Sequence, residues 1–125
     1  MIEARKGKMV NISSDAGRVG SSGETVYAAA KGGVIAFTKS LASELARFAI
    51  NVNCVCPGPT DLATRSEKLR DAFLKAIPFH RFSRPEEIAD AVLFFASSRS
   101  DYITGQVAQR QRRPDLCRMI MNHRE

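Results

Sequence analysis

An α/β fold built on a parallel sheet is what this sequence of 125 residues predicts, and three observations carry the prediction. Short β-branched runs alternate with longer stretches of helical period. The runs stop at Ser, Gly or Pro punctuation. The order of strand, helix, strand, helices and a final strand start is that of βαβ units, with right-handed crossovers. A chain of this length builds one core of modest size.

The first strand is read over Lys8 to Ser14, KMVNISS, an apolar run halted by Ser, Asp and Gly. Gly17 to Gly23, with three glycines and two serines, reads as loop. From about Thr25 to Phe48 the period is helical, and Val34, Phe37, Leu41, Leu45 and Phe48 make an apolar stripe. Gly32 and Gly33 weaken that helix by roughly 1 kcal/mol each relative to alanine, and close packing against that turn is what would accommodate them.

A second strand follows at Asn51 to Cys56, NVNCVC, ended by Pro57-Gly58-Pro59. Glu67 to Ala76 is a short helix with Leu69, Phe73 and Ile77 on one face. Ser83-Arg84-Pro85-Glu86 reads as a capping box that opens a helix to about Ser97, with Ile88, Ala91, Val92, Phe94 and Phe95 as its apolar residues. Val107 begins another strand, and beyond it AQRQRRPD carries no apolar alternation fit for an interior strand.

Composition excludes several classes. No apolar run is long enough for a membrane span, and the N-terminus MIEARKGKMV has no signal-peptide core. Three cysteines, two of them two residues apart in a buried strand, make no disulfide framework and point to a reducing cytoplasm. Neither His80 nor His123 joins a ligand cluster, so no metal is expected. The net charge of +6 divides equally between residues 1–107 and the short tail 108–125. As a nucleic-acid arm the tail would use Arg110, Arg112 and Arg113, but no aromatic residue is interleaved for stacking, and no nucleic-acid partner is expected.

The chemistry lies in NISSDAGRVGSSGETVYAAAK, residues 11–31. Positions i and i+4 share a helix face, so Tyr27 and Lys31 point together. A phenol is a sluggish base at neutral pH, and a neighbouring ammonium favours its phenolate form. The Ser14 hydroxyl, at the strand end alongside, can hold a substrate oxygen. The three together can move a proton on or off an alcohol or carbonyl oxygen. A YxxxK pair alone is equally a surface tyrosine stacked on a lysine stem; the surrounding motifs decide between these readings.

NISS (11–14), YAAAKGG (27–33), INVNCVCPGP (50–59), RPEEIA (84–89) and ITGQV (103–107), in this order, resemble the short-chain dehydrogenase/reductases from about Lys8 to Val107. The resemblance implies the C-terminal half of a Rossmann-type doubly wound parallel sheet, with about two strands and three helices and the last strand lost. It implies an oxidoreductase acting on a secondary alcohol or ketone with NAD or NADP. In that reading Tyr27 is the acid/base, Lys31 lowers its pKa and holds the nicotinamide ribose, and Ser14 orients the substrate oxygen. Pro57, Gly58 and Thr60 line the nicotinamide, so the cofactor-binding set is Tyr27, Lys31, Pro57, Gly58 and Thr60. Helices 25–48 and 85–98 would form the contacts of a homo-oligomer. Within the family, VGSSGETVYAAAKGG, CPGPTD and EKLRDAFLKAIP look most like 2-hydroxycyclohexanecarboxyl-CoA dehydrogenases.

Departures from the pattern set further expectations. The Gly-rich turn that meets the cofactor pyrophosphate is not found in the sequence, and the family's catalytic asparagine falls upstream of it. Leu62 stands where the family usually has a cofactor-touching threonine, and Leu62 to Ser66 looks shorter than the subgroup's substrate loop. The expected domains are therefore 1–107, a half-domain, and 108–125, a disordered tail. Residues 108–115 are what a one-base shift makes of a family-like last strand, LSVSGGLT, so an out-of-frame tail is expected. On this reading the isolated chain is inactive, and the alternative role is a fragment that associates with itself or with an intact relative through its interface helices.

Overall fold

The computed structural model describes residues 1–61 and 67–109. A three-stranded parallel sheet in the order β1 (Gly7–Ile12), β2 (Ile50–Cys56), β3 (Val107–Gln109) forms its centre. The helices are α1 (Asp15–Val19), α2 (Thr25–Leu45), α3 (Glu67–Ala76) and α4 (Pro85–Ala96). The expected α/β architecture with parallel strands is what the chain adopts.

β2 is the best-covered element. Six of its seven residues are buried, with Val52, Cys54 and Cys56 wholly so. Strand residues alternate between faces, and Ile50 and Val52 pack with Ala42 of α2, flanked by Met9, Leu41, Leu45 and Phe48. On the opposite face Asn53 is buried and fully occupied: its amide donates to Ile103 O at 2.9 Å and its carbonyl accepts from Gln106 N at 3.0 Å. Those bonds set the turn that delivers β3.

Five expectations change in detail. Asp15 to Val19, partly read as loop, forms a single helical turn and a half, because Ser14 caps it by accepting from Ala16 N at 3.2 Å. β1 ends at Ile12 rather than Ser14, although the ladder continues through Ser13 N–H to Val55 O at 2.9 Å. Phe37 is 55% exposed and leaves the buried stripe of α2, whose buried residues are Thr38 and Ala42.

The capping residues of α4 also shift by one. Arg84, not Ser83, is the N-cap, and the Glu87 carboxylate rather than that of Glu86 accepts its backbone N–H at 2.9 Å. The β3 ladder runs three residues, with Ala108 opposite Val55 and Gln109 opposite Cys56, so it crosses the expected boundary after Val107 and adds a third strand to the expected two. The loop read at Leu62 to Ser66 and the tail from residue 110 lie outside the described residues.

The glycine pair in α2 divides. A Cβ on Gly17 would stand 2.5 Å from Lys31 C, and one on Gly32 would stand 3.1 Å from Gly17 O. α1 therefore sits on the Lys31–Gly32 turn at backbone distance, which accounts for Gly32. Gly33 has nothing within 4 Å of its Cβ position, so close packing within the chain does not explain it.

Candidate active site

Ser14, Tyr27, Lys31, Pro57, Gly58 and Thr60, the six residues expected from the sequence, all line one cavity of about 480 Å³. Three separate elements deliver them. Ser14 stands between β1 and α1, Tyr27 and Lys31 lie on α2, and Pro57 to Thr60 follow β2. The crevice thus opens beyond the carboxyl ends of parallel strands, the place where open α/β sheets bind ligands.

Backbone bonds fix the Ser14 segment. Ser13 N–H donates to Val55 O and Asp15 N–H to Pro57 O at 3.0 Å, so Ser14 is held against the Pro57 wall from both sides. Ser13 is buried, and its hydroxyl donates to Lys31 O at 2.6 Å, tying the same segment to α2. The Ser14 hydroxyl accepts the cap bond from Ala16 N, which leaves its own proton available to the cavity.

Lys31 Nζ donates to Ile12 O at 3.2 Å and stands 5.8 Å from the centroid of the Tyr27 ring. One helical turn separates the two residues, so the ammonium is held over the ring from the same face. Tyr27 is 46% exposed on the cavity side, where a ligand can reach its hydroxyl.

Thr60 is set by the segment before α4. Ser83 Oγ donates to Thr60 Oγ1 at 3.1 Å and to Pro59 O at 3.3 Å, while Thr60 and Ser83 form an isolated parallel bridge. Ser83, read from the sequence as a helix cap, instead braces the Pro57–Thr60 wall.

Seven further residues line the cavity without having been singled out for it in the sequence, among them Ile12, Asp15, Glu24 and Phe73. Glu24 is the N-cap residue of α2, three residues before Tyr27, a spacing that would have marked it, and it accepts from Ser21 Oγ at 2.5 Å. Asp15 is 1% exposed; Oδ1 accepts from Arg18 Nε at 3.1 Å, and Oδ2 has no partner among the described residues. Beneath this floor lie Cys54 and Cys56, free thiols with their sulfurs 3.9 Å apart. Burial, reinforced by Cys54, pushes the Cys56 thiol up to about 11. It is therefore a packing residue with little thiolate at neutral pH.

Lys31 offers a donor and Pro57 to Thr60 a wall at the strand ends. Gly20 and Gly23 lie between α1 and α2, and among the described residues no strand end runs directly through a Gly-rich turn into a long helix, the arrangement that receives a pyrophosphate. No helix among them is long and apolar enough to cross a membrane, and no group of three or more metal-ligating side chains occurs among them.

Comparison with known proteins agrees on one family. A family model described as Enoyl-(Acyl carrier protein) reductase matches residues 1–110. The chain is 52% identical over 110 residues to the 3-oxoacyl-[acyl-carrier-protein] reductase of Chlamydia muridarum, covering 86% of this chain and 44% of that one. It is 49% identical to the reductase of the same name from Thermotoga maritima, and 43% identical to nodulation protein G of Rhizobium meliloti. The crystal structure of a 3-oxoacyl-[acyl-carrier protein] reductase from Brucella melitensis superposes with a TM-score of 0.81 at 37% identity, covering 87% of this chain and 42% of that chain. The Chlamydia, Thermotoga and Brucella proteins carry the acyl-carrier-protein reductase name, and none of the four carries the alicyclic acyl-CoA dehydrogenase name that the sequence suggested. The chain spans a little under half the length of the relatives it matches. On the family match over residues 1–110, the chain belongs to the short-chain dehydrogenase/reductase family.

Proposed function

We propose that this chain carries the proton-transfer half of an NAD(P)-dependent oxidoreductase that interconverts a 3-oxoacyl thioester and its 3-hydroxy form. What supports the reading is the single cavity shared by Ser14, Tyr27, Lys31 and the Pro57–Thr60 wall. The nicotinamide, when bound, supplies or accepts the hydride. The residues of this chain handle the oxygen. Ser14 donates a hydrogen bond to the substrate carbonyl, Tyr27 gives that oxygen its proton in reduction and removes it in oxidation, and Lys31 holds positive charge beside the phenol and a donor toward the nicotinamide ribose. Pro57, Gly58 and Thr60 would hold the nicotinamide from the strand-end side of the cavity.

Homo-association through α2 and α4 belongs to the same proposal. Val26 (83% exposed), Phe37 and Leu93 (64%) lie on their outer faces. Val26, Ala30, Gly33 and Phe37 follow one stripe of α2, and the open Gly33 would admit a second helix closely.

Titration of the labelled chain with nicotinamide mononucleotide and with an acetoacetyl thioester of N-acetylcysteamine tests this reading. Amide shifts are expected at Ser14, Tyr27, Lys31, Gly58 and Thr60. Turnover with NADH or NADPH is expected to be absent in the isolated chain, because no pyrophosphate turn occurs among the described residues. Shifts confined to other regions, or cofactor-dependent turnover unchanged in Tyr27→Phe, would overturn the proposal.

A further inference from the structure

The catalytic cavity is charged differently along its length. Among the described residues its charged lining side chains are Asp15, Glu24 and Lys31. Asp15 is buried and neutralised by Arg18 at 3.1 Å. Lys31 and Glu24 form no ion pair among the described residues, so the cavity is left with one cation and one anion. Lys31 comes one turn after Tyr27 on α2 and Glu24 one turn before it. A helical rise of 1.5 Å per residue sets the two charges about 10 Å apart along the axis, with Tyr27 between them.

The helix that Glu24 begins does not account for it. Glu24 holds the N-cap position of α2, yet its side chain makes no capping bond. Ser21 Oγ donates to its Oε2, and Oε1 makes no hydrogen bond among the described residues. The residue is exposed and lines the cavity. Its carboxylate is therefore anchored at one oxygen and open at the other, one turn from the proton-transfer group.

Charge at each end gives the substrate a direction. In the function proposed above, on which this inference rests, the Lys31 end takes the nicotinamide ribose while Ser14 and Tyr27 take the reacting oxygen. What extends from that oxygen away from the cofactor meets Glu24. In a 3-oxoacyl thioester the carbon two positions from the ketone is uncharged. In the free 3-oxo acid the same carbon is a carboxylate. Brought within a few ångströms of Glu24, that carboxylate is repelled, whereas a neutral group is not.

We propose that Glu24 is a specificity-determining residue, which admits the thioester form of a 3-oxo acid and rejects the ionised free acid. Rejection comes from an unneutralised like charge and needs no tight contact. Salt weakens it, because Glu24 is exposed.

Titration of the labelled chain at neutral pH with acetoacetamide, with acetoacetate and with the acetoacetyl thioester of N-acetylcysteamine tests the assignment, the dissociation constants being read from the Ser14 and Tyr27 amides. Acetoacetamide and acetoacetate are nearly the same size and differ in charge. Acetoacetate is expected to bind roughly tenfold more weakly than acetoacetamide at about 20 mM salt, and the gap to shrink severalfold at about 0.5 M. Glu24→Gln is expected to close the gap at low salt, and Glu24→Lys to invert it. If Glu24→Lys fails to fold, Glu24→Gln decides the matter. A role confined to the start of the helix would move the melting temperatures of these variants and leave the binding ratio unchanged. A gap that survives Glu24→Gln overturns the proposal, as does one that salt does not reduce. Equal binding of acetoacetamide and acetoacetate by the unaltered chain, while the thioester shifts Ser14, Tyr27 and Lys31, overturns this proposal alone. A thioester that shifts none of those three overturns the proposed function with it.

Discussion

β1 and β2 are neighbours in one sheet and read almost alike, as GKMVNI and INVNCVC, yet they live in different environments. β2 has a strand on each side and helices over each face, and Val52, Cys54 and Cys56 lose all contact with solvent. β1 has the same helices above and below but, among the described residues, a strand on one side only, and none of its six residues is fully buried. Apolar patterning places a residue on a face. The number of flanking strands then decides how much of it water can reach.

Truncation should expose this difference most strongly. Ile50→Ala, at 2% exposure, is expected to destabilise by about 2–5 kcal/mol, the range for a cavity left in a core. Ile12→Ala, at 44%, is expected to change stability by no more than about 0.5 kcal/mol in urea titrations at low protein concentration. Equal losses would break the comparison.

The two glycines that flank the α1–α2 contact repeat the contrast on a smaller scale. Gly17→Ala drives a methyl group into the backbone of Lys31 and is expected to destabilise by about 1–3 kcal/mol, or to part α1 from α2. Gly33→Ala meets open space and is expected to stabilise the monomer by about 1 kcal/mol through helix propensity. Thermal melts of the two variants should move in opposite directions.

Reactivity gives a gentler probe of the same burial. Cys54 and Cys56 are expected to resist iodoacetamide at pH 8 in the native chain and to react once it is unfolded, read by peptide mass mapping. Labelling of Cys56 at the rate of a free thiol would show that β2 opens readily.

The smallest effect is expected far from the sheet, at the exposed start of α4. Arg81 grips both oxygens of Glu87 at 2.8 Å, and together with the Arg84 N–H it pulls the Glu87 carboxyl down to about 2. A carboxyl depressed on folding binds protons more readily in the unfolded chain. Its contribution is complete above the ordinary value near 4.5 and fades as pH falls toward about 2. Glu87→Gln should therefore flatten stability against pH only within that acid window, and by little, because water screens the pair.

Much of the site is legible in the sequence. Ser14, Tyr27 and Lys31 stand out because helix periodicity brings i and i+4 together and because the surrounding motifs follow in order. Pro57, Gly58 and Thr60 come from the resemblance, and they line the same cavity. Glu24 is legible in principle from its spacing to Tyr27. Asp15 is not, since nothing local says that an aspartate after a serine will turn inward to meet Arg18. Ser83 misleads because its neighbours satisfy a capping pattern, while its hydroxyl is taken by Pro59 and Thr60, more than twenty residues away.

The sequence by itself determined the order of strands and helices, the parallel sheet that this order demands, and the face on which Tyr27 and Lys31 sit. These follow from local period and punctuation, which act over a few residues. Only the tertiary structure decided that Gly17 must be glycine while Gly33 need not be, that Phe37 faces outward, and that β3 continues through Gln109. Each of these depends on what arrives from a distant part of the chain, or fails to arrive, and burial is a property of neighbours rather than of the residue that is buried.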